Sequence, residues 1–81
     1  GGKPKRPKPT KPGDVAPPMP GRVVQVLVAV NDCVKAGDPL LIIEAMKTMN
    51  QIPSPVSGKV IRIHVDNGDP VEYGAALVTI E

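Results

Sequence analysis

The sequence contains no Phe and no Trp, and Tyr73 is its only aromatic residue. Any core it builds must therefore be aliphatic. Cysteine is nearly absent as well. Cys33 stands alone, which excludes an internal disulfide and a cysteine-based zinc cluster. No apolar run approaches the ~18 residues that a membrane helix needs, and the N-terminus does not read as a secretory signal. At 81 residues the chain has room for one small domain and not for a deep catalytic pocket. Ser54, Ser57 and His64 form no plausible nucleophile–base set, and His64 has no second His or Cys near it in the sequence. Nothing here supports autonomous catalysis or a metal site.

What is present is unevenly distributed. Lys3, Lys5, Arg6, Lys8 and Lys11 place +5 on the first twelve residues. From Gly13 onward five bases face eight acids, a net −3, so the overall +2 belongs to the tail. A nucleic-acid-binding domain would carry its bases on the fold, and this chain does not. The tail alternates lysine and proline without one apolar residue, and we expect residues 1–14 to form a solvated, polyproline-like linker. Residues 15–81 then form the folded domain. A linker ahead of such a fold suggests a tethered subunit or the C-terminal piece of a longer chain.

Within the domain, residues 21–30 are valine-rich and alternate with period 2, which favours a strand over a helix. Asn31-Asp32 and residues 36–39 are turn signals. Residues 40–43 read as a second strand and residues 48–52 as a third, ended by Pro53-Ser54-Pro55 because proline cannot donate to a ladder. Then the pattern restarts. Gly21 matches Gly58, and the same offset of 37 residues holds throughout without a gap. Pro18 falls on Pro55, Arg22 on Lys59, Val23 on Val60, Val26 on Ile63, Asp32 on Asp69, Val34 on Val71, Gly37 on Gly74, Leu40 on Leu77, Ile43 on Ile80 and Glu44 on Glu81. Chance does not align glycines, prolines, acids and apolar phase together. The chain is an internal duplication.

Neither half can bury an apolar face alone, so two halves pack as a small all-β sandwich about a pseudo-two-fold. Strict alternation predicts Val24, Val26, Val28, Ile61, Ile63, Val65, Leu41, Ile43, Val78 and Ile80 inside, with Val34 and Val71 closing the ends. Arg62 and His64 then face solvent, and Cys33, aligned with Pro70, is partly exposed. The pseudo-symmetry sets the hairpin of residues 44–50 at the pole away from both ends of the folded part. Of seven lysines only Lys47 sits at that tip. A two-residue turn at Met46-Lys47 requires positive φ at both residues, although neither is Gly, Asn or Asp, so strain is expected there. Broken local rules point to a functional site. The flexible thioethers of Met46 and Met49 either fill core gaps or, at an exposed tip, suit recognition by several partners, the second reading being favoured for Met46. Glu44 is a further candidate contact, though Glu81 occupies the equivalent place with no lysine beside it.

At these residues the chain resembles a biotinyl domain of the biotin carboxyl carrier family. The residues that carry the resemblance are Glu44-Ala45-Met46-Lys47, then Asn50, then Pro55-Val56-Ser57-Gly58-Lys59-Val60, with Pro18-Met19-Pro20-Gly21 and Gly37-Asp38-Pro39-Leu40 upstream. It covers about residues 16–81. The resemblance implies a flattened barrel-sandwich of two four-stranded antiparallel sheets with the lysine on a hairpin turn. It implies covalent biotin on Lys47, joined as an amide by a biotin protein ligase that reads Glu44, Ala45, Met46, Thr48 and Met49. It further implies a swinging arm that serves a biotin carboxylase and then a carboxyltransferase or decarboxylase, in the cytoplasm or, through its partners, in an organelle or a membrane-associated complex. From charge and hydropathy, no nucleic acid and no direct membrane insertion are expected. Thr48 departs from the family, which usually has methionine after the lysine, and this bears on ligase efficiency. No insertion resembles the protruding thumb of some acetyl-CoA carboxylase carriers, which favours a transcarboxylase, decarboxylase, or other acyl-CoA or pyruvate carboxylase. Two alternatives share the fold. A lipoyl domain usually presents Asp-Lys-Ala at the tip, and an efflux-type adaptor separates its halves by a helical hairpin.

Overall fold

The computed structural model describes residues 12–81. Most of the expected linker therefore lies outside the described residues. Its boundary moves, because Asp14 is already in a strand. The described residues form eight strands: β1 (Asp14–Val15), β2 (Gly21–Val26), β3 (Cys33–Val34), β4 (Pro39–Ala45), β5 (Thr48–Pro53), β6 (Gly58–Ile63), β7 (Pro70–Val71) and β8 (Val78–Ile80). They make two four-stranded antiparallel sheets, ordered β1-β8-β6-β3 and β5-β4-β2-β7.

The offset read from the sequence maps one sheet onto the other, strand for strand: β1 to β5, β8 to β4, β6 to β2 and β3 to β7. Cross-connections repeat in the same way. The Val23 N–H donates to Asp69 O at 2.8 Å, and the Val60 N–H to Asp32 O at 2.9 Å. Leu27 N–H bonds Leu40 O as His64 N–H bonds Leu77 O, both at 2.9 Å. The Asp32 carboxylate accepts from Ala29 N–H and the Asp69 carboxylate from Asp66 N–H. Each half uses its aspartate to close its own turn, which is why the acids fell into register along with the glycines.

The core comes in the same pairs. Val23 with Val60, Leu40 with Leu77, Leu41 with Val78, Ile43 with Ile80, Val34 with Val71, and Val15 with Ile52 are all buried. Here strict alternation misplaces two residues. Val24 and Ile61 were expected inside, yet they are 39% and 40% exposed, whereas Val23 and Val60 are 0% exposed. The cause is a register shift in each half, between Val23 and Gln25 and between Val60 and Arg62. One extra residue at a bulge reverses the inside–outside phase on one side of it. Val26, Val28 and Ile63 keep their expected side but are only half-buried. β2 also stops at Val26, short of the expected residue 30.

His64 does not face solvent as expected. It is half-buried, with Nε2 2.7 Å from Thr79 Oγ1, and the Thr79 hydroxyl donates to Asp14 Oδ1 at 2.6 Å. Because the hydroxyl proton is committed to Asp14, its oxygen accepts from the His64 Nε2–H. This chain of bonds ties β1 and β8 to the residue that follows β6. Arg62 is exposed, as is the free Cys33.

Candidate functional site

The β4–β5 hairpin runs the length of its sheet. At its base Pro39 pairs with Pro53, and beside it the Gly37 N–H donates to Ser54 O at 2.7 Å. Gly37 follows β3, whose Cys33 pairs with Lys59, and Lys59 exchanges backbone bonds with Glu81. Glu81 and β1 thus lie at the base end of the hairpin. The tip is at the other end, six residues of β5 or about 20 Å away. That separation puts Met46-Lys47 at the pole opposite the point where the described chain begins.

Ala45 pairs with Thr48 as the last rung, leaving a two-residue turn. Its φ angles are +52° at Met46 and +63° at Lys47. This is the left-handed pair of a type I′ turn, formed here without Asn or Gly. The right-handed twist of paired strands selects that turn, so the sheet imposes a conformation that the local residues disfavour. Met46 is 94% exposed, and Lys47 is exposed beside it. The Lys47 side chain is therefore open to solvent. The other lysines among the described residues are placed differently: Lys59 lies inside β6, and Lys35 lies in the loop after β3.

The expected recognition residues divide in two. Glu44, Met46, Thr48 and Met49 are exposed around the tip, Met49 by 61%. Ala45, by contrast, is only 6% exposed. It packs beneath the turn, 3.2 Å from where a side chain on Gly21 would begin. That Cβ would also sit 2.5 Å from Glu44 O and 2.6 Å from Ile43 Cγ2. Glycine at position 21 lets β2 approach β4 closely enough to support the post, and small Ala45 fits the same gap. Arg22, paired with Glu44, donates through Nη1 to Gly68 O at 2.8 Å, fastening this end of β2 to the loop before β7.

One residue matters more than the sequence reading allowed. Asn50 Nδ2 donates to Thr48 O at 2.9 Å and reaches Ile43 O at 3.4 Å. Both contacts are carbonyl oxygens, so only the NH2 end of the amide fits. Asn50 belonged to the quoted motif, but its side-chain role had no signal in periodicity or spacing. The Thr48 hydroxyl adds a long contact to Met46 O at 3.5 Å.

The site as built offers an exposed lysine on a two-residue turn held by the β4–β5 hairpin. Comparison with known proteins identifies the family. The family model described as "Biotin-requiring enzyme" matches residues 13–80. Pyruvate carboxylase of Bacillus subtilis is 42% identical over 72 residues, covering 89% of this chain and 6% of the relative. Biotin carboxyl carrier protein of Streptococcus mutans is 48% identical over 63 residues, covering 78% of this chain and 48% of the relative. Among solved structures, Kluyveromyces lactis urea carboxylase matches with a TM-score of 0.83 at 36% identity, over 99% of this chain and 7% of that one. The chain thus spans less than half the length of each of these relatives. With the hairpin, its exposed lysine and the duplicated sheets in place, the chain belongs to the biotin-requiring enzyme family, as a non-catalytic biotinyl (biotin carboxyl carrier) domain.

Proposed function

We propose that Lys47 is the attachment point for biotin and that the domain carries a carboxyl group between two active sites of a biotin-dependent carboxylase, decarboxylase or transcarboxylase. The observation that carries this reading is the exposed lysine at φ +63° on a two-residue turn, at the pole away from β1 and Glu81. A primary amine that clashes with nothing fits the carboxyl group of biotin, which it would hold as an amide. Bound there, biotin supplies a ureido ring that accepts and gives up a carboxyl group.

This chain's own residues do three things. The β4–β5 hairpin holds the Lys47 backbone in one orientation, which lowers the ordering cost when a partner docks. Met46, Thr48 and Met49 form the surface around the amine that a biotin protein ligase meets first, with Glu44 one rung below. The aliphatic core keeps both sheets fixed, so that partners displace the whole domain and not its parts. Removing the amine's proton is left to the ligase, because no base accompanies Lys47 in the turn. The partners in this reading are the ligase, a biotin carboxylase, and a carboxyltransferase or decarboxylase. The relatives named as pyruvate carboxylase and biotin carboxyl carrier protein support it. An exposed unpaired Cys33 suits a reducing, cytoplasmic setting.

Intact-mass measurement after incubation with a biotin protein ligase, biotin and ATP tests the assignment. One biotinyl increment is expected on the chain and none on Lys47→Ala, with a folded control spectrum for both. An increment that survives in Lys47→Ala, or none on the unaltered chain, rules out Lys47. A mass gain matching lipoate in cells would replace biotin with the other cofactor.

A further inference from the structure

The pseudo-two-fold supplies a comparison for the strands of the hairpin, because residues 39–44 and 50–53 have counterparts at 76–81 and 13–16 in the other half. Asn50 stands where the other half has Gly13. The strand register corresponds, but the backbone differs: Gly13 has φ +92°, whereas Asn50 is in ordinary strand conformation. Ile43 pairs with Asn50 in one sheet, and in the other the Ile80 N–H donates to Gly13 O at 2.9 Å. The neighbouring rungs match too, Leu41 with Ile52 against Val78 with Val15. At Gly13 the bond to Ile80 forms with no side chain, in a left-handed backbone where an added Cβ would clash with Ile80 O. At the lysine pole the position carries an amide bonded to carbonyls of both strands beneath the Met46-Lys47 turn.

We propose that Asn50 is a positioning residue for modification of Lys47, a role that rests on the carrier reading above. Its amide cross-ties Thr48 O, on the rung that closes the turn, to Ile43 O on the facing strand. The tie opposes the relaxation that positive φ at Met46 and Lys47 would otherwise favour. The amine then meets the ligase already presented. Without the tie the turn frays, and the ligase must order it on docking.

The test compares Asn50→Gly, which copies the residue of the other pole, with Asn50→Asp, which keeps the shape but replaces the donating NH2 with an oxygen. Each full-length variant is titrated as substrate of a biotin protein ligase, and kcat is separated from KM. Loss of a hydrogen bond of ordinary strength lowers kcat/KM about fivefold, and the loss is expected mainly in KM because ordering is then met at docking. In parallel, 15N relaxation should show faster motion at the Met46 and Lys47 amides, with Leu41 and Ile80 unchanged. An efficiency within twofold of the unaltered chain in both variants overturns the proposal. So does a loss accompanied by equal loosening at Leu41 and Ile80, which would make Asn50 a general support of the sheet. If the unaltered chain takes no biotin at Lys47, the carrier reading fails by itself. The relaxation data then still decide whether Asn50 fastens the turn.

Discussion

Replacing Met46-Lys47 by Asn-Gly should stabilise the domain while abolishing its modification. The magnitude follows from the turn. Two non-glycine residues at φ +52° and +63° each hold about 1 kcal/mol of left-handed strain. Asn tolerates that region and Gly is indifferent to it, so the swap relieves about 2 kcal/mol. Glycine also frees the unfolded chain at position 47, which returns about 0.5–1 kcal/mol. Met46 is 94% exposed, so its loss removes no core contact. The net gain is about 1 kcal/mol, and for a domain of this size that raises Tm by roughly 5 °C. Thermal unfolding followed by circular dichroism, with urea midpoints beside it, measures the effect. Streptavidin binding after co-expression with a ligase measures the modification. A fall in Tm would refute the strain argument, because it would mean that Met46-Lys47 suits its turn better than the residues most at ease there.

Three further outcomes follow from the geometry. Gly21→Ala should lose about 2–3 kcal/mol, since its Cβ would meet Glu44 O at 2.5 Å and Ile43 Cγ2 at 2.6 Å, and it should also lower biotinylation by shifting the hairpin. Gly58→Ala meets Glu81 O at 2.7 Å and Ile80 Cγ2 at 2.9 Å, so it should destabilise comparably, yet its folded fraction should be biotinylated at the unaltered rate. Thr79→Val deletes the hydroxyl between His64 and Asp14 and should cost about 1–3 kcal/mol, read as a lower urea midpoint at constant m.

The sequence announced the architecture because the duplication is written in residues whose roles are backbone roles. Gly21 and Gly58 mark close approaches of strands, and Asp32 and Asp69 close equivalent turns, so their spacing carried the fold directly. The tip was legible for the opposite reason, since Met46-Lys47 occupies a place where turn chemistry calls for other residues. The side on which Val23 and Val24 lie was not legible. A bulge changes phase without any marker residue, and four valines in six positions leave the pattern readable either way. His64 was misread for a related reason. Its partner Thr79, and Asp14 bonded in turn to Thr79, are distant in sequence, and only the sheet order brings them together. The burial of Ala45 likewise depends on how closely β2 approaches, a tertiary fact with no local trace.

The two poles show how little of this chain is specific to being a carrier. Strand order, core pairs, bulges and turn-closing aspartates occur twice, so none of them can be what distinguishes the lysine end. Within residues 46–50 the lysine end carries two left-handed backbones, two exposed thioethers, one amine and one amide bonded across the hairpin. In the function proposed above, the tip would be met in turn by a ligase and by at least two active sites. Strongly specific contacts to any one of them would slow release from it. Thioethers supply adaptable contact area of that undemanding kind, while the doubled scaffold supplies the rigidity that such a surface lacks. Division of labour between a stiff symmetric body and one strained, adaptable tip is thus what the physics of sequential docking asks for, and the strain is tolerated because every other rung of both sheets opposes its release.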